Sequence, residues 1–149
     1  MSARGRPRGA GAPFEPQGSL TQLAAKIVLP EPGLLKLVTI RGKGRGVVAT
    51  RPIKKGKVVE AGPVIRMKKA DRLGRETVLS NYPFEWKDKP YVQAFPLGWA
   101  GLLNHSDKPN CKIEADIDGE VLCITTIKKV EAGDELVWDY GIKPWFDVN

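Results

Sequence analysis

The sequence predicts a single, mostly β domain with a few short helices. The chain has 149 residues, of which 42% are hydrophobic, and this is sufficient for one globular core. From residue 34 onward, short apolar segments alternate with turns that contain glycine and proline. Apolar and polar residues alternate strictly from Cys111 to Ile117, as they do in a half-buried strand, and Asp118-Gly119 is a typical hairpin turn.

The first 33 residues are predicted to form a tail and one short helix. Residues 1–18 combine arginine with glycine, alanine and proline, and this composition buries too little apolar surface to order itself. A helix is predicted to begin at Ser19, because Gln22 completes a capping box and apolar residues then recur at helical spacing. Pro30 and Pro32 end it, so residues 19–33 are a helix and a linker. The apolar face consists of Leu20, Leu23, Ala24, Ile27 and Val28.

Strands and turns follow from residue 34 onward. A glycine-rich turn at Arg41–Gly46 separates the first two strands, and a second turn at Ile53–Gly56 leads into the next two. The predicted strands are Leu35–Ile40, Val47–Ala49, Val58–Glu60 and Val64–Met67.

The second half of the chain is predicted to be less regular at first and then to form a hairpin. We predict a helix at Arg72–Ser80 and buried extended backbone at Leu97–Leu103. The strand that returns after Asp118-Gly119 has Val121, Cys123, Thr125 and Ile127 on one face. A last strand is predicted at Leu136–Trp138.

The composition limits the chemistry of the protein. Two cysteines and one histidine provide three candidate ligands, whereas a structural zinc site usually needs four, so we predict no metal site. We expect Cys111 and Cys123 to be small apolar core residues, although a disulfide between them stays open. No apolar segment is long enough to span a bilayer, and the first residues lack the apolar core of a signal peptide, so we expect an intracellular, soluble protein.

Charge is distributed unevenly along the chain. The net charge is +7, but the acidic residues are concentrated after residue 100 and the basic residues before it. The basic part has the charge to contact nucleic acid, and the acidic part has the charge to receive a basic peptide. A solvated surface of mixed sign explains most of these side chains equally well.

Four short motifs stand out, although each one alone has an ordinary structural explanation as a turn or a strand. They are Gly44-Arg-Gly-Val-Val-Ala49, Asn104-His-Ser106 with Pro109-Asn110, Gly133-Asp-Glu-Leu136 and Asp139-Tyr-Gly141. In this order and at these distances, the motifs resemble the SET-domain family of protein lysine methyltransferases. The resemblance extends over about residues 35–145. The small size is similar to that of the minimal, single-domain members in large viruses and in some bacteria.

The resemblance implies a SET-domain fold of the β-clip type, with small curved sheets, a C-terminal pseudoknot and a few short helices. Residues 34–141 would form the domain, and residues 142–149 would be a short flank that closes the substrate channel. In this fold the Asn-His-Ser segment passes beneath a loop near the C terminus. The small residues of Gly98–Leu103 suit such a crowded passage.

The resemblance also implies an activity, namely methyl transfer from S-adenosylmethionine to a lysine of a protein substrate, such as a histone or another basic tail. Tyr140 matches the family's catalytic tyrosine, which orients the methyl group and interacts with the charge on sulfur. Asn104 is expected to accept a hydrogen bond from the ammonium group of the cofactor, and His105 to hold the adenine through backbone contacts. The implied cofactor-binding residues are Lys43, Gly44, Arg45, Gly46, Asn104, His105, Tyr140 and Trp145.

Three aromatic residues are expected to line the channel for the substrate lysine, namely Tyr82, Trp138 and Tyr140. A narrow apolar channel favours the neutral amine, which is the form that attacks the methyl group. Trp138 stands where the family usually has phenylalanine or tyrosine, at a position that limits the number of methyl groups, so the methyl number stays open. Trp145 is expected to stack near the adenine and to wall the channel.

Two other functions stay open from the sequence. One is a non-catalytic SET-like module that binds a peptide or the cofactor. The other is a small basic nucleic-acid-binding protein, which the arginine-rich tail suggests. A homodimer and contact of the tail with nucleic acid also stay open. The expected compartment is the nucleus for a eukaryotic or viral source and the cytoplasm for a bacterial one.

Overall fold

The computed structural model describes residues 27–141, and this range forms three small sheets and three short 3₁₀ helices. The strands are β1 (Leu35–Ile40), β2 (Gly44–Ala49), β3 (Val58–Lys68), β4 (Phe84–Asp88), β5 (Tyr91–Pro96), β6 (Asn104–His105), β7 (Cys111–Asp116), β8 (Val121–Thr126) and β9 (Val137–Trp138). The 3₁₀ helices are Lys69–Asp71, Val78–Asn81 and Trp99–Leu102. The predicted mostly β class is therefore confirmed. No helix in the described range is long and apolar enough to cross a membrane.

β1 and β2 form an antiparallel hairpin whose turn depends on glycine. Leu35 pairs with Ala49 at the open end, and Ile40 pairs with Gly44 at the turn. Gly42 and Gly44 have φ angles of +79° and +78°, a conformation that residues with a side chain rarely adopt. The glycines thus allow the tight turn, and they place the predicted cofactor-binding residues at the tip of the hairpin.

A five-stranded antiparallel sheet forms the main body, in the order β4-β5-β3-β8-β7. β3 is 11 residues long because its first half pairs with β8 and its second half with β5. The two strands predicted at Val58–Glu60 and Val64–Met67 are therefore one continuous strand. β7 and β8 form the hairpin that Asp118-Gly119 predicts, with Cys111 opposite Thr126.

The segment around β9 runs between two earlier strands. β9 pairs in parallel with β6, so that Asn104 lies opposite Val137 and His105 opposite Trp138. On the side of β2, the N–H of Leu136 donates to the carbonyl oxygen of Val47 at 2.8 Å. This crossing agrees with the predicted pseudoknot, and it brings distant motifs of the sequence next to one another.

One apolar core joins the sheets. Trp86 of β4, Ile124 of β8 and Leu136, which precedes β9, are each at most 2% exposed. Other buried members are Leu34, Val47, Ile53, Val59, Leu103 and Leu122. In β8 the alternate face, with Leu122, Ile124 and Thr126, is fully buried, whereas Cys123 and Thr125 on the face expected from the sequence are only partly buried.

The segment Arg72–Ser80 differs from the prediction of a helix. It contains irregular backbone and a turn at residues 75–76 before the 3₁₀ helix Val78–Asn81 begins. Oγ1 of Thr77 donates to the carbonyl oxygen of Gly74, and such side-chain bonds compete with the helical bonds of the backbone. The glycine itself also lowers helix propensity.

Leu97–Leu103 is not the extended buried segment that the sequence suggests. Residues Trp99–Leu102 form a 3₁₀ helix, and Leu97 is 58% exposed. The carboxylate of Glu60 accepts hydrogen bonds from the first two N–H groups of this helix. A distant side chain therefore caps a helix that the local sequence does not indicate.

At the N-terminal side, Val28 pairs in an extended conformation with Ala61, so the predicted helix does not include this residue. The rest of that helix, the tail and residues 142–149 lie outside the described residues.

The two cysteines are free thiols, so no disulfide joins them. Cys111 is buried, as predicted, and burial raises the pKa of its thiol to about 12. Cys123 is partly buried. Within residues 27–141, no group of three or more His, Cys, Asp and Glu side chains is placed to hold a metal ion.

Candidate active site

A small polar cluster forms where the β1–β2 hairpin, β6 and the residues before β9 meet. Nδ2 of Asn104 donates to the carbonyl oxygen of Arg45 at 2.8 Å and to Oε1 of Glu135 at 2.7 Å. Nζ of Lys43 lies 3.3 Å from Oε2 of the same glutamate. We call Lys43, Asn104 and Glu135 the polar cluster. It joins three of the four sequence motifs or their flanks at one point.

Gly46 packs against the polar cluster and leaves no room for a side chain. A Cβ atom at this position would lie 2.8 Å from Oε1 of Glu135 and 3.1 Å from Nδ2 of Asn104, and it would overlap Cδ1 of Ile40. By contrast, a Cβ atom at Gly44 would meet no atom within 4 Å. The hairpin is thus open beside Gly44 and closed at Gly46.

Tyr140 is held both at its backbone and at its hydroxyl group. Its N–H donates to Nδ1 of His105 at 3.0 Å, and its Oη donates to the carbonyl oxygen of Leu103 at 2.9 Å. Because Nδ1 accepts this bond, it carries no proton, so its 3.8 Å approach to Oδ1 of Asp139 is not an ion pair. His105 is only 6% exposed, and the anchor of Tyr140 is therefore shielded from water.

The environment of Tyr140 keeps its phenol protonated. Burial raises the pKa of Tyr140 above its ordinary value of 10.0, and electrostatic repulsion of a phenolate by Glu135, and to a smaller extent by Tyr82, raises it further. All three effects disfavour the phenolate. Tyr140 therefore acts at neutral pH as a neutral hydroxyl group, which donates one hydrogen bond and retains lone pairs.

Tyr140 lies in the wall of a cavity of about 510 Å³. The ring of Trp138 is between two other rings of this wall, with its centroid 5.1 Å from that of Phe84 and 4.9 Å from that of Tyr140. Tyr82 and the carboxylate-bearing Glu85 also line the cavity. The other apolar residues of the wall are Pro83, Ala100, Gly101, Leu103, Ile113, Ala115 and Leu122.

One buried donor beside the cavity has no partner. Nε1 of Trp138 is buried and makes no hydrogen bond with any described residue. Buried N–H groups normally have a partner, and one left without it costs free energy.

The cavity and the polar cluster are neighbouring parts of one site. Nη2 of Arg45 lies 3.4 Å from Oη of Tyr82, while the backbone oxygen of Arg45 accepts from Asn104. A single residue of the hairpin thus contacts both. Trp145, which was expected to complete the site, lies outside the described residues.

The family model of the SET domain matches residues 44–141. The match begins at Gly44, at the tip of the hairpin, and ends at Gly141, directly after the anchored tyrosine. The chain belongs to the SET domain family.

Several known proteins are similar to this SET domain. The N-lysine methyltransferase KMT5A of Xenopus tropicalis is 34% identical over 122 residues, which cover 72% of this chain and 36% of that protein. The N-lysine methyltransferase KMT5A-A of Danio rerio is 32% identical over 117 residues, or 68% of this chain and 33% of that protein. This chain therefore spans about a third of the length of the curated relatives that it matches.

A solved structure has the same fold. It is the crystal structure of a Plasmodium falciparum protein described as a candidate histone methyltransferase, which superimposes with a TM-score of 0.60 at 25% identity. The match covers 77% of this chain and 99% of that one.

Two residues of this SET domain that sequence reasoning left without a role are important for the geometry. Glu135 bonds both other members of the polar cluster. The side-chain amide of Asn110 donates to the carbonyl oxygen of Glu135 at 2.8 Å and accepts from the N–H of Val137 at 2.9 Å, as a backbone amide would in a sheet. Both residues belong to the sequence motifs named above, and their positions in those motifs could have indicated that they have a role.

Proposed function

We propose that this SET domain transfers a methyl group from S-adenosylmethionine to a lysine side chain of a protein substrate. The main observation in support of this proposal is the position of Tyr140. Its hydroxyl group is fixed on the carbonyl of Leu103, in the wall of a cavity of about 510 Å³, and the polar cluster adjoins this cavity. The names of the relatives, which are N-lysine methyltransferases, support the same reaction.

The polar cluster has the chemistry to hold the amino-acid part of S-adenosylmethionine. Among the described residues, both hydrogen bonds of the Asn104 side chain are donated by Nδ2, so its Oδ1 is left to accept from an ammonium group. Lys43 carries the opposite charge for a carboxylate, and the backbone beside Gly44 is open to a ligand. When bound, the cofactor supplies a methyl group on a positively charged sulfur.

The cavity favours the reactive form of the substrate lysine. A free lysine side chain has a pKa of about 10.4 and is mostly protonated at neutral pH. The wall formed by Phe84, Trp138 and Ile113 is apolar, and apolar surroundings stabilise the neutral amine relative to the ammonium. The same wall aligns the amine for an in-line displacement, and alignment supplies much of the rate.

Tyr140 acts through position and electrostatics. Because its proton is donated to Leu103, the oxygen retains lone pairs that can receive a polarised C–H or N–H group of a ligand. Its raised pKa leaves very little phenolate to act as a base at neutral pH, so we assign the loss of the lysine proton to solvent and not to Tyr140.

The proposed substrate is a basic protein segment, with histones as the first candidates. The Plasmodium falciparum protein is described as acting on histones, and this chain concentrates its acidic residues after residue 100. Glu85 adds a carboxylate to the cavity lining, where it attracts positively charged residues near the target lysine. A histone target places the protein in the nucleus.

Incubation with radiolabelled S-adenosylmethionine and a panel of basic proteins, including core histones, tests the proposal. We expect label on lysine in at least one of these proteins, with a loss of roughly 100-fold or more in Tyr140→Phe. Tyr91→Phe is the matched control, because Tyr91 does not line the cavity. Its ring instead packs under Arg66, whose Cζ lies 4.2 Å from the ring centroid of Tyr91.

Calorimetric titration with S-adenosylmethionine separates the remaining outcomes. Cofactor binding without label on any protein would favour a non-catalytic module. Absence of both would refute the proposed function. Label that Tyr140→Phe leaves unchanged would refute the role assigned to Tyr140.

A further inference from the structure

A buried carboxylate lies behind the cavity wall, in the first half of β3. Glu60 is only 3% exposed. Its Oε1 accepts from the N–H of Trp99 at 3.0 Å, and its Oε2 accepts from the N–H of Ala100 at 3.2 Å. These are the first two residues of the 3₁₀ helix Trp99–Leu102, whose N–H groups have no partner within the helix. The carboxylate therefore determines where this helix begins.

The space around this carboxylate depends on glycine. A Cβ atom at Gly98 would lie 2.8 Å from Cδ of Glu60 and would overlap its oxygen, and a Cβ atom at Gly62 would lie 3.1 Å from the same Cδ. Gly98 has a φ of −115°, which any residue adopts. Position 98 therefore needs glycine because a side chain would collide with the carboxylate of Glu60, and not because of its backbone conformation.

A carboxylate is a costly choice for this position. Burial raises the pKa of Glu60 above its ordinary value, and the two backbone N–H groups of Trp99 and Ala100 lower it only in part. Among the described residues, no lysine or arginine forms an ion pair with Glu60. An apolar side chain would avoid the cost of desolvation but would leave two N–H groups unpaired. Burial of Glu60 thus lowers the stability of the fold, but its hydrogen bonds define the position of the helix.

The helix that Glu60 fixes leads directly to the reacting groups. Ala100 and Gly101 form part of the cavity wall, and the carbonyl of Leu103 accepts from Oη of Tyr140. Asn104, the next residue, belongs to the polar cluster. A shift of the helix start would therefore move the wall and the acceptor of Tyr140 together.

We propose that Glu60 is a positioning residue for methyl transfer, which holds the helix Trp99–Leu102 so that Leu103 places the hydroxyl group of Tyr140. This inference rests on the proposed function, because the reaction must occur for its rate to depend on Glu60. Glu60 acts through the backbone and contacts neither ligand.

Steady-state kinetics of two variants, with one matched control, tests the proposal. Glu60→Gln removes one of the two acceptors, and Gly98→Ala displaces the carboxylate without removing it. The control is Thr126→Val. Thr126 is 1% exposed and its Oγ1 also forms hydrogen bonds with the backbone of Lys54 and Lys57, but it does not line the cavity.

We expect both test variants to lower kcat roughly 10- to 100-fold at a temperature where circular dichroism shows each protein to be folded. The Kd for S-adenosylmethionine should stay within roughly threefold of the wild type, because the polar cluster is retained. In Glu60→Gln, the amides of Trp99 and Ala100 should exchange with solvent faster than in the wild type, while that of Ile124 in the core should not.

A kcat that falls no further in the test variants than in Thr126→Val would overturn the proposal, since buried hydrogen bonds would then be equivalent wherever they lie. If Glu60→Gln does not fold, Gly98→Ala decides by the same comparison. If the wild type transfers methyl groups and the kcat of both test variants is unchanged, the role of Glu60 is refuted and the proposed function stands. A wild type that transfers no methyl group overturns the proposed function and this inference with it.

Discussion

Replacement of Gly46 by alanine tests whether the polar cluster binds the methyl donor. The added Cβ atom would lie 2.8 Å from Oε1 of Glu135 and 3.1 Å from Nδ2 of Asn104, two atoms that are themselves hydrogen-bonded at 2.7 Å. Ile40 can rotate its terminal methyl group away, since this side chain is only partly buried. Relief of the remaining contacts requires the Glu135 carboxylate or the Asn104 amide to shift, so the substitution acts on the cluster.

The expected magnitude follows from this contact. A hydrogen bond to a charged group contributes about 1.5–3 kcal/mol, and a factor of ten in affinity corresponds to about 1.4 kcal/mol. If Asn104 loses its fixed orientation, the Kd for S-adenosylmethionine should rise roughly 10- to 150-fold. The crowding should also lower the free energy of unfolding by about 1–3 kcal/mol.

Calorimetric titration of S-adenosylmethionine into wild type, Gly46→Ala and Gly56→Ala gives the comparison. Gly56 has a φ of +80° and open space around its Cβ position, and it lies in the turn before β3, so its replacement strains a turn that contains no member of the polar cluster. Gly56→Ala should therefore lose stability but keep most of its affinity. Equal affinities in the two alanine variants would show that the cluster does not hold the cofactor.

Three further predictions concern β9 and the cavity. Asn110→Ala removes the side-chain bonds to Glu135 and Val137 and should lower the free energy of unfolding by about 2–3 kcal/mol in urea titrations, more than Asn81→Ala at an exposed position. The value of kcat/KM should rise with pH from neutrality to about pH 10, because the substrate lysine loses its proton over this range while Tyr140, whose pKa is raised, keeps its own. A decline of kcat/KM below about pH 9.5 that Tyr140→Phe abolishes would contradict this prediction. Trp138→Phe removes ring volume from the cavity wall, so mass spectrometry of the product should show more methyl groups per lysine, and an unchanged distribution would exclude Trp138 as the limit.

Local patterns predicted the elements whose stabilising contacts are local. The β7–β8 hairpin could be predicted because the alternation from Cys111 to Ile117 and the turn at Asp118-Gly119 are both short-range signals. β3 could not be predicted as one strand, because Ala61-Gly62-Pro63 resembles an interruption. Pro63 is tolerated because it is the point at which β3 changes partner, from Val121 in β8 on one side to Pro96 in β5 beyond it.

The residues of the site were predicted from motifs, whereas their contacts were not. The motifs located Asn104, His105 and Tyr140, but no spacing shows that Nδ1 of His105 receives the N–H of Tyr140. Glu60 was missed entirely, since its two bonds reach about 40 residues along the chain to the first two N–H groups of a short helix. Such long-range dependence leaves no periodic signal in the sequence.

The parallel pairing of β6 with β9 also has a consequence for folding. The hairpins β1–β2 and β7–β8 need only neighbouring residues, whereas the β6–β9 pairing closes a longer loop. The polar cluster likewise needs long-range contacts, because Asn104 bonds to both Arg45 and Glu135. If the polar cluster holds the cofactor as proposed, the cofactor stabilises only molecules in which these long-range contacts have formed.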